Sequence, residues 1–177
     1  MTVTDEVRVG LGVDIHPVSD DPGRRLVLGG VVFEAGPGLA GHSDADVVAH
    51  ALADAVLGAA GLGDLGQHFP DTDPAWSGAD SVALLGRVVR LVADAGWQPV
   101  NADCTVVLER PRLAPHRSAM QDRMGKALGA PVSVKATRPE ALGALGRGEG
   151  IVCMAVALLA RSGLRLRACP GLARACL

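Results

Sequence analysis

Hydrophobic residues recur along the chain with two periods, and the shorter period marks the strands. Successive strand side chains point to opposite faces, so alternation and short apolar runs between turn residues predict β-structure. Residues 25–34 predict a hairpin with Gly29-Gly30 as its turn. In the stretch that begins at residue 99, Val100 and every second residue after it share one side. The other predicted strands are 7–15, 99–109, 132–136 and 151–160.

The longer period, of three to four residues, marks helices whose apolar side faces a core. The predicted helices are 45–61, 81–95 and 113–128. Ser43 or Asp44 can cap the first of them, since both side chains accept hydrogen bonds from backbone N–H groups. On that helix Asp46, His50 and Asp54 are four residues apart, which predicts a single polar stripe.

The order of these elements predicts the fold class. Strand, hairpin, two helices, strand, helix and two strands indicate an α/β (α+β) sandwich, a mixed sheet with helices on one face. Residues 1–161 form one predicted domain, and the segment 162–177, with three arginines and a Pro-Gly break, is predicted to be a poorly ordered basic appendage. Residues 62–79, rich in Gly, Asp and Pro, predict a long functional loop.

The composition excludes several classes of function. Hydrophobic residues make up 49% of the chain and charged residues 20%, which is typical of a globular domain. The net charge of −2 and the aromatic content of 2% argue against a nucleic-acid partner. No stretch has the ~20 apolar residues of a membrane helix, so we expect no membrane partner either. Four cysteines without Cys-x-x-Cys spacing indicate reduced thiols and a cytoplasmic location.

Three residues have the spacing of a zinc site. Asp14 and His16 are two apart on a predicted strand and therefore share a face, and His50 lies on the first predicted helix. Together they make three protein ligands with a fourth position open, as in zinc enzymes, whereas structural zinc sites close all four positions. A histidine alone is more often a surface or hydrogen-bonded core residue, but the combination indicates a metal.

Several motifs, in matching order and spacing over residues 7–161, carry a resemblance to a known family. The motifs are 14–16, 42–50, 51–60, 63–66, 69–74 and 146–150. They resemble the 2-C-methyl-D-erythritol 2,4-cyclodiphosphate synthases of the non-mevalonate isoprenoid pathway. The resemblance implies a homotrimeric lyase with active sites at subunit interfaces. Its reaction converts 4-diphosphocytidyl-2-C-methyl-D-erythritol 2-phosphate to the cyclic diphosphate and releases CMP.

The resemblance also implies a role for individual residues of this chain. Asp14, His16 and His50 would bind Zn²⁺, and Glu140 would hold a second divalent cation, Mg²⁺ or Mn²⁺. His42 matches the position that stabilises the transition state. The implied substrate-binding residues are Ser43, Asp54, Asp64, Leu65, Gly66, Phe69, Pro70, Asp71, Thr72, Asp73 and Thr137. The implied nucleotide-binding residues are Leu108, Glu109, Arg110, Pro111, Arg112, Leu113 and Ala114. Ala144, Arg147 and Glu149 would line a cavity on the trimer axis.

Two positions depart from the family pattern. Arg138 stands where the family has a catalytic threonine, and Pro139 after it favours an extended backbone. We expect Arg138 to alter turnover without loss of zinc. Ala144 stands where a larger apolar residue is common. This departure weakens the expectation that the axial cavity binds an isoprenoid diphosphate.

Two other functions use the same residues. A zinc-dependent phosphoester hydrolase would fill the open metal position with a reactive water. A homologue impaired by Arg138 would keep zinc and the trimer but release no CMP. Release of CMP without inorganic phosphate distinguishes the synthase from both.

Overall fold

A computed structural model describes residues 7–164, so the predicted division at 161 is not tested and most of the predicted appendage lies outside the described residues. None of the helices in this part of the chain is long and apolar enough to cross a membrane.

A four-stranded mixed sheet forms the centre of the fold, as the sequence predicts. Its strands are β1 (Val7–Pro17), β4 (Trp97–Val107), β5 (Val132–Thr137) and β6 (Gly150–Arg161), in the order β1-β6-β4-β5. β6 runs antiparallel to both of its neighbours, and β5 runs parallel to β4. The short strands β2 (Leu26–Leu28) and β3 (Val31–Phe33) form the predicted hairpin around Gly29-Gly30.

Helices cover one face of this sheet, which confirms the predicted architecture. The helices are α1 (Val47–Ala60), α2 (Leu65–His68), α3 (Ser81–Asp94), α4 (Arg117–Leu128) and α5 (Gly143–Gly146). α1 packs so closely on β1 that a Cβ added at Gly10 or Gly12 would lie within 2.0 Å of a carbonyl oxygen of the helix. The two glycines therefore let α1, which carries His50, approach β1, which carries Asp14 and His16.

The start of α1 differs from the prediction. Asp46, and not Ser43 or Asp44, is its N-cap, and Ala45 before it has a left-handed φ of 55°. The Asp46 carboxylate accepts hydrogen bonds from the N–H groups of Val48 and Ala49 and from Gly29 and Gly30 in the hairpin turn. Asp46 is thus fully buried and ties the hairpin to the helix. The predicted polar stripe is wrong at this residue and keeps only His50 and Asp54.

Other boundaries shift for local reasons. β4 starts at Trp97 and contains a bulge between Pro99 and Asn101, which takes Val100 out of the predicted buried row. A 3-10 turn at Ala114–His116 precedes α4, so that helix starts later than predicted. The predicted loop 62–79 holds α2 and a second 3-10 turn at Pro74–Trp76, and the glycine-rich segment before β6 holds α5.

The face of the sheet away from the helices is apolar and open. On β1, Val9, Leu11, Val13 and Ile15 expose between 48% and 67% of their surface, and Met154 and Val156 on β6 continue the row. We call these six residues the open sheet face. Contiguous apolar surface of this kind marks a protein–protein contact more often than free surface.

Candidate active site

Asp14, His16 and His50 meet at the end of β1, where the sequence predicts a metal site. Oδ2 of Asp14 lies 3.0 Å from Nε2 of His16 and 3.1 Å from Nδ1 of His50, and the two histidine nitrogens are 3.1 Å apart. Tetrahedral zinc with bonds of about 2.0–2.1 Å separates its ligand atoms by about 3.3 Å. The three atoms therefore fit a single ion.

The other nitrogen of each imidazole has an acceptor, which fixes the nitrogen that faces the ion. Nδ1 of His16 lies 2.7 Å from the carbonyl oxygen of Ala40, so it carries the proton and leaves the Nε2 lone pair free. Nε2 of His50 lies 2.8 Å from the Ser81 hydroxyl and 3.1 Å from that of Ser43. Both histidines thus point a lone pair at the same place, as metal ligands do.

Neighbouring charges at this centre shift the pKa values of Asp14 and His16. Burial raises the pKa of Asp14, but hydrogen bonds and charge from His16 and His50 in their cationic forms outweigh burial and hold that pKa well below its usual range. Burial lowers the pKa of His16, but the hydrogen bond and charge of Asp14 outweigh it and raise that pKa above its ordinary value. Strong mutual perturbation in a cleft is typical of functional sites.

A cavity of about 250 Å³ opens beside the two histidines. Its lining combines His16 and His50 with part of the predicted loop 62–79, which we call the substrate loop, and we call the cavity the metal half-site. The lining residues are His16, Gly41, His42, Ser43, His50, Leu65, Phe69, Asp71, Trp76 and Leu84. Nε2 of His42 donates to the carbonyl oxygen of Asp73, 3.2 Å away, which links the predicted catalytic histidine to the substrate loop.

Backbone contacts account for two acidic residues of the substrate loop and for Asp54, which reaches the loop from α1. Asp54 of α1 accepts a hydrogen bond of 2.7 Å from the backbone N–H of Leu65. Asp64 is the N-cap of α2, and Asp73 caps the following 3-10 turn. These carboxylates shape the loop through backbone contacts. Gly66, Pro70 and Thr72 lie on the same loop, Pro70 half-buried and the other two exposed.

A second cavity, of about 580 Å³, lies at the ends of the parallel strands β4 and β5. We call it the nucleotide half-site, because it holds four of the predicted nucleotide-binding residues. Its lining residues are Ala35, Gly36, Pro37, Glu109, Arg110, Pro111, Arg112 and Arg138. Leu108 and Leu113, also predicted here, have their side chains in the core. They can therefore offer only backbone atoms to a ligand.

Arg138 belongs to the nucleotide half-site. Its guanidinium binds the Glu109 carboxylate through Nη2 and through Nε, the latter at 3.1 Å. The other oxygen of Glu109 accepts the N–H of Ala141 at 3.3 Å. Hydrogen bonding to Arg138 lowers the pKa of Glu109 and raises that of Arg138. In a single chain, Arg138 thus rests on a carboxylate of the nucleotide half-site while the metal half-site is lined by other elements.

The remaining predicted residues follow β5. Thr137 ends the strand and is exposed, and Glu140 lies in the next turn with a left-handed φ of 51°. Arg147 lines a third cavity, of about 440 Å³, and pairs with Glu149 through Nε at 2.5 Å. Ala144 on α5 is exposed.

Sequence reasoning missed two residues that contact the metal half-site. Ser81, at the first position of α3, places its hydroxyl against His50, and Asp44 binds both the hydroxyl and the backbone N–H of Ser81. The separation of 31 residues between His50 and Ser81 has no periodic meaning. The one signal in the sequence is Asp44 itself, which the sequence marks only as a candidate cap of α1.

The chain is similar to several named relatives and solved structures. A curated relative from Symbiobacterium thermophilum, named 2-C-methyl-D-erythritol 2,4-cyclodiphosphate synthase, is 57% identical over 155 residues, or 86% of this chain and 98% of the relative. The solved bifunctional IspDF from Campylobacter jejuni has a TM-score of 0.83 at 39% identity, covering 88% of this chain and 42% of that one. The Plasmodium falciparum IspF in a CDP complex has a TM-score of 0.77 at 29% identity, covering 90% and 99%.

Fold and site together define a mixed α/β domain with a three-residue cluster that can hold a metal ion, beside the substrate loop. The model of the YgbB family matches residues 7–160. The chain belongs to the YgbB family.

Proposed function

We propose that the chain is a phosphorus–oxygen lyase that converts 4-diphosphocytidyl-2-C-methyl-D-erythritol 2-phosphate to 2-C-methyl-D-erythritol 2,4-cyclodiphosphate and CMP. The observation that carries the proposal is the convergence of three ligand atoms beside the substrate loop. Relatives more than half identical over nearly their whole length have this activity in their names.

The reaction moves one phosphoryl group within the substrate. An oxygen of the 2-phosphate forms a bond to the β-phosphorus, and the bond from that phosphorus to the oxygen bridging the α-phosphate breaks. The leaving group is CMP, so atoms and charge balance without water. Because the nucleophile is already an anion, the protein needs no strong general base and acts by positioning and neutralisation.

Residues of the metal half-site position the reacting phosphates. His42 and Ser43 present an imidazole and a hydroxyl to the cavity, where they can donate to phosphate oxygens. Leu65, Phe69 and Asp71 enclose the methylerythritol part between α2 and the substrate loop. The remaining loop residues act through the backbone shape that their caps impose.

Asp14, His16 and His50 would hold Zn²⁺, since a carboxylate and two neutral imidazoles suit this ion and leave one position open. Bound there, the ion supplies Lewis acidity to a phosphate oxygen. Glu140 would hold Mg²⁺ or Mn²⁺ together with substrate oxygens, because these hard cations prefer oxygen ligands.

The proposal includes a homotrimer. The open sheet face leaves apolar side chains uncovered, and the two half-sites lie on different parts of one chain. Copies that cover one another's open sheet face could join a metal half-site to a neighbour's nucleotide half-site. Light scattering should give three times the chain mass, and Leu11→Glu with Val13→Glu should give the mass of one chain.

The proposed location is the cytoplasm. Cys104 and Cys153 are buried free thiols within the described residues. Reducing compartments keep such thiols unpaired, which supports this location.

The test is incubation of the protein with the cytidine substrate and Mg²⁺. We expect CMP in equal amount to the cyclic diphosphate and no inorganic phosphate. Inorganic phosphate would indicate the hydrolase. Zinc content and a trimer without CMP would indicate an impaired homologue.

A further inference from the structure

We infer that Ser81 and Asp44 are positioning residues that fix the tautomer of His50 and thereby its affinity for metal. The inference rests on the metal site of the proposed function. His50, Ser81 and Asp44 form a line of hydrogen bonds that we call the serine bridge. Ser81 is only 1% exposed, so its hydroxyl has to be satisfied by protein groups.

The direction of each hydrogen bond in the serine bridge follows from its last member. A carboxylate only accepts hydrogen bonds, so the Ser81 hydroxyl donates to Oδ1 of Asp44. The lone pairs of that hydroxyl then face Nε2 of His50 at 2.8 Å, and Nε2 has to carry the proton. Nδ1 of His50 is left with a lone pair, 3.1 Å from Oδ2 of Asp14, where the metal ligands meet.

Asp44 is itself held in place by the backbone. Oδ2 accepts the N–H of Ser81 at 3.2 Å, and Oδ1 accepts the N–H of Asp46 at 3.2 Å. The backbone N–H of Asp44 donates to Ala79 at 3.0 Å. The serine bridge therefore connects His50 on α1 to the start of α3 through a carboxylate with little freedom to move.

Ser43 cannot replace Ser81 in this role. Its hydroxyl oxygen accepts the N–H of Ala45 at 3.1 Å. That oxygen lies 3.1 Å from Nε2 of His50, further than the 2.8 Å of the Ser81 hydroxyl. Its own proton has no carboxylate acceptor and faces Ser81 at 3.3 Å or the cavity. The division of labour is that Ser81 orients the imidazole while Ser43 keeps a proton to donate to an anion.

Two measurements on Ser81→Ala test the inference. In metal-free protein, ¹⁵N NMR of labelled histidine should show His50 with its proton on Nε2 in the parent, and a rise of the Nδ1-protonated form in the variant. Competition with a chromophoric chelator should show Zn²⁺ binding weakened about 10- to 100-fold, the usual effect of losing a partner of a ligating histidine.

The controls separate positioning from folding. Ser81→Thr keeps the hydroxyl and should bind Zn²⁺ within about threefold of the parent. Asp80→Ala removes the N-cap of the same helix, which binds Val82 and Ala83, and should lower the melting temperature without changing the tautomer or the affinity. Asp44→Ala removes the acceptor of the Ser81 hydroxyl, which can then donate to Nε2 of His50, and should shift both readouts as Ser81→Ala does; it serves if that variant does not fold.

The outcomes are distinct. An unchanged His50 tautomer in Ser81→Ala, or equal loss of affinity in Asp80→Ala, overturns the inference. Failure of the parent to bind Zn²⁺ overturns the proposed metal site, while the metal-free tautomer still decides whether Ser81 orients His50.

Discussion

The metal half-site and the nucleotide half-site are built in different ways. In the metal half-site each ligand is held by a second group, such as Ala40 for His16 and Ser81 for His50. In the nucleotide half-site the main polar contact is the pair of Glu109 and Arg138, of which the Arg138 side chain is 60% exposed. The first region is satisfied within one chain, and the second is open to a partner or a ligand.

This difference indicates which property of the protein depends on assembly of several copies. A preorganised metal site can form in a single folded chain, because its contacts come from β1, the segment before α1, α1 itself and the start of α3. A nucleotide bound only at the second cavity would contact none of the residues that line the metal half-site. The comparison thus predicts that catalysis, unlike metal binding, depends on contact between copies.

Complementation between two inactive variants tests whether catalysis depends on contact between copies. Of the predictions given, it should produce the largest change in CMP release. His50→Ala should lower CMP release at least about 10³-fold by removing a ligand, and Ala35→Trp with Arg112→Glu should lower it about 100-fold by filling and recharging the nucleotide half-site. If sites form between copies, co-expression of the two variants leaves about a quarter of the sites with both halves intact. We therefore expect co-expression to restore CMP release.

The control is to mix the same variants after separate purification under conditions without subunit exchange, where activity should stay low. Co-expressed protein that is as inactive as its components would mean that one chain supplies both halves.

Replacement of Asp46, the N-cap of α1, tests whether its contacts to the hairpin stabilise the helix that carries His50. Asp46→Ala removes a cap and leaves N–H groups of Gly29 and Gly30 without an acceptor, and should lower the free energy of unfolding by about 3 kcal/mol. Asp80→Ala removes an exposed cap with two similar bonds and should lower it by about 1 kcal/mol. Urea denaturation measures both losses in the free energy of unfolding, and we expect its dependence on urea concentration to be the same in both variants. Equal losses would contradict a tethering role for Asp46.

The parts of the molecule that the sequence predicted are those with a local signal. Strand and helix periods placed every long element within a few residues, and Asp14, His16 and His50 needed only the periods of a strand and a helix. The prediction went wrong at Asp46, since the spacing of four to His50 suggested a surface stripe. Backbone N–H groups of the hairpin, 16 and 17 residues away, hold that carboxylate in the core.

Contacts between distant elements had no such signal. Ser81 reaches His50 because α1 and α3 pack side by side, and Arg138 reaches Glu109 because β4 and β5 are parallel neighbours in register. The sequence marked Arg138 as a departure from a family pattern, but it could not show which carboxylate would neutralise it.

The stability of the metal half-site should depend on pH through Asp14 and His16. The lowered pKa of Asp14 contributes stability above its unfolded value of 3.8 that is lost on acidification. The raised pKa of His16 contributes stability that is complete below its unfolded value of 6.5 and is lost as pH rises through the folded value. In metal-free protein this pair therefore weakens towards alkaline pH.

Metal binding has the opposite dependence, since His16 must lose its proton to ligate. Zinc-loaded protein should therefore melt at a higher temperature than chelator-treated protein. This difference should increase by about 3 °C between about pH 6 and 8. Calorimetry measures it. The widening should persist in His68→Ala, whose imidazole binds Leu62, and disappear in His16→Ala. A constant difference in the parent would count against ligation by His16.

Arg138→Thr gives the smallest effect and tests the nucleotide half-site. Removal of Arg138 leaves the Glu109 carboxylate facing an anionic nucleotide, so KM for the cytidine substrate should rise about fivefold, while zinc content stays the same. Glu109→Gln in the same chain removes the uncompensated charge and should return KM to within about twofold of the parent, as a double-mutant cycle would reveal. Steady-state CMP release provides both constants. Identical kinetics in Arg138→Thr and the parent would show that this departure from the family has no effect on turnover.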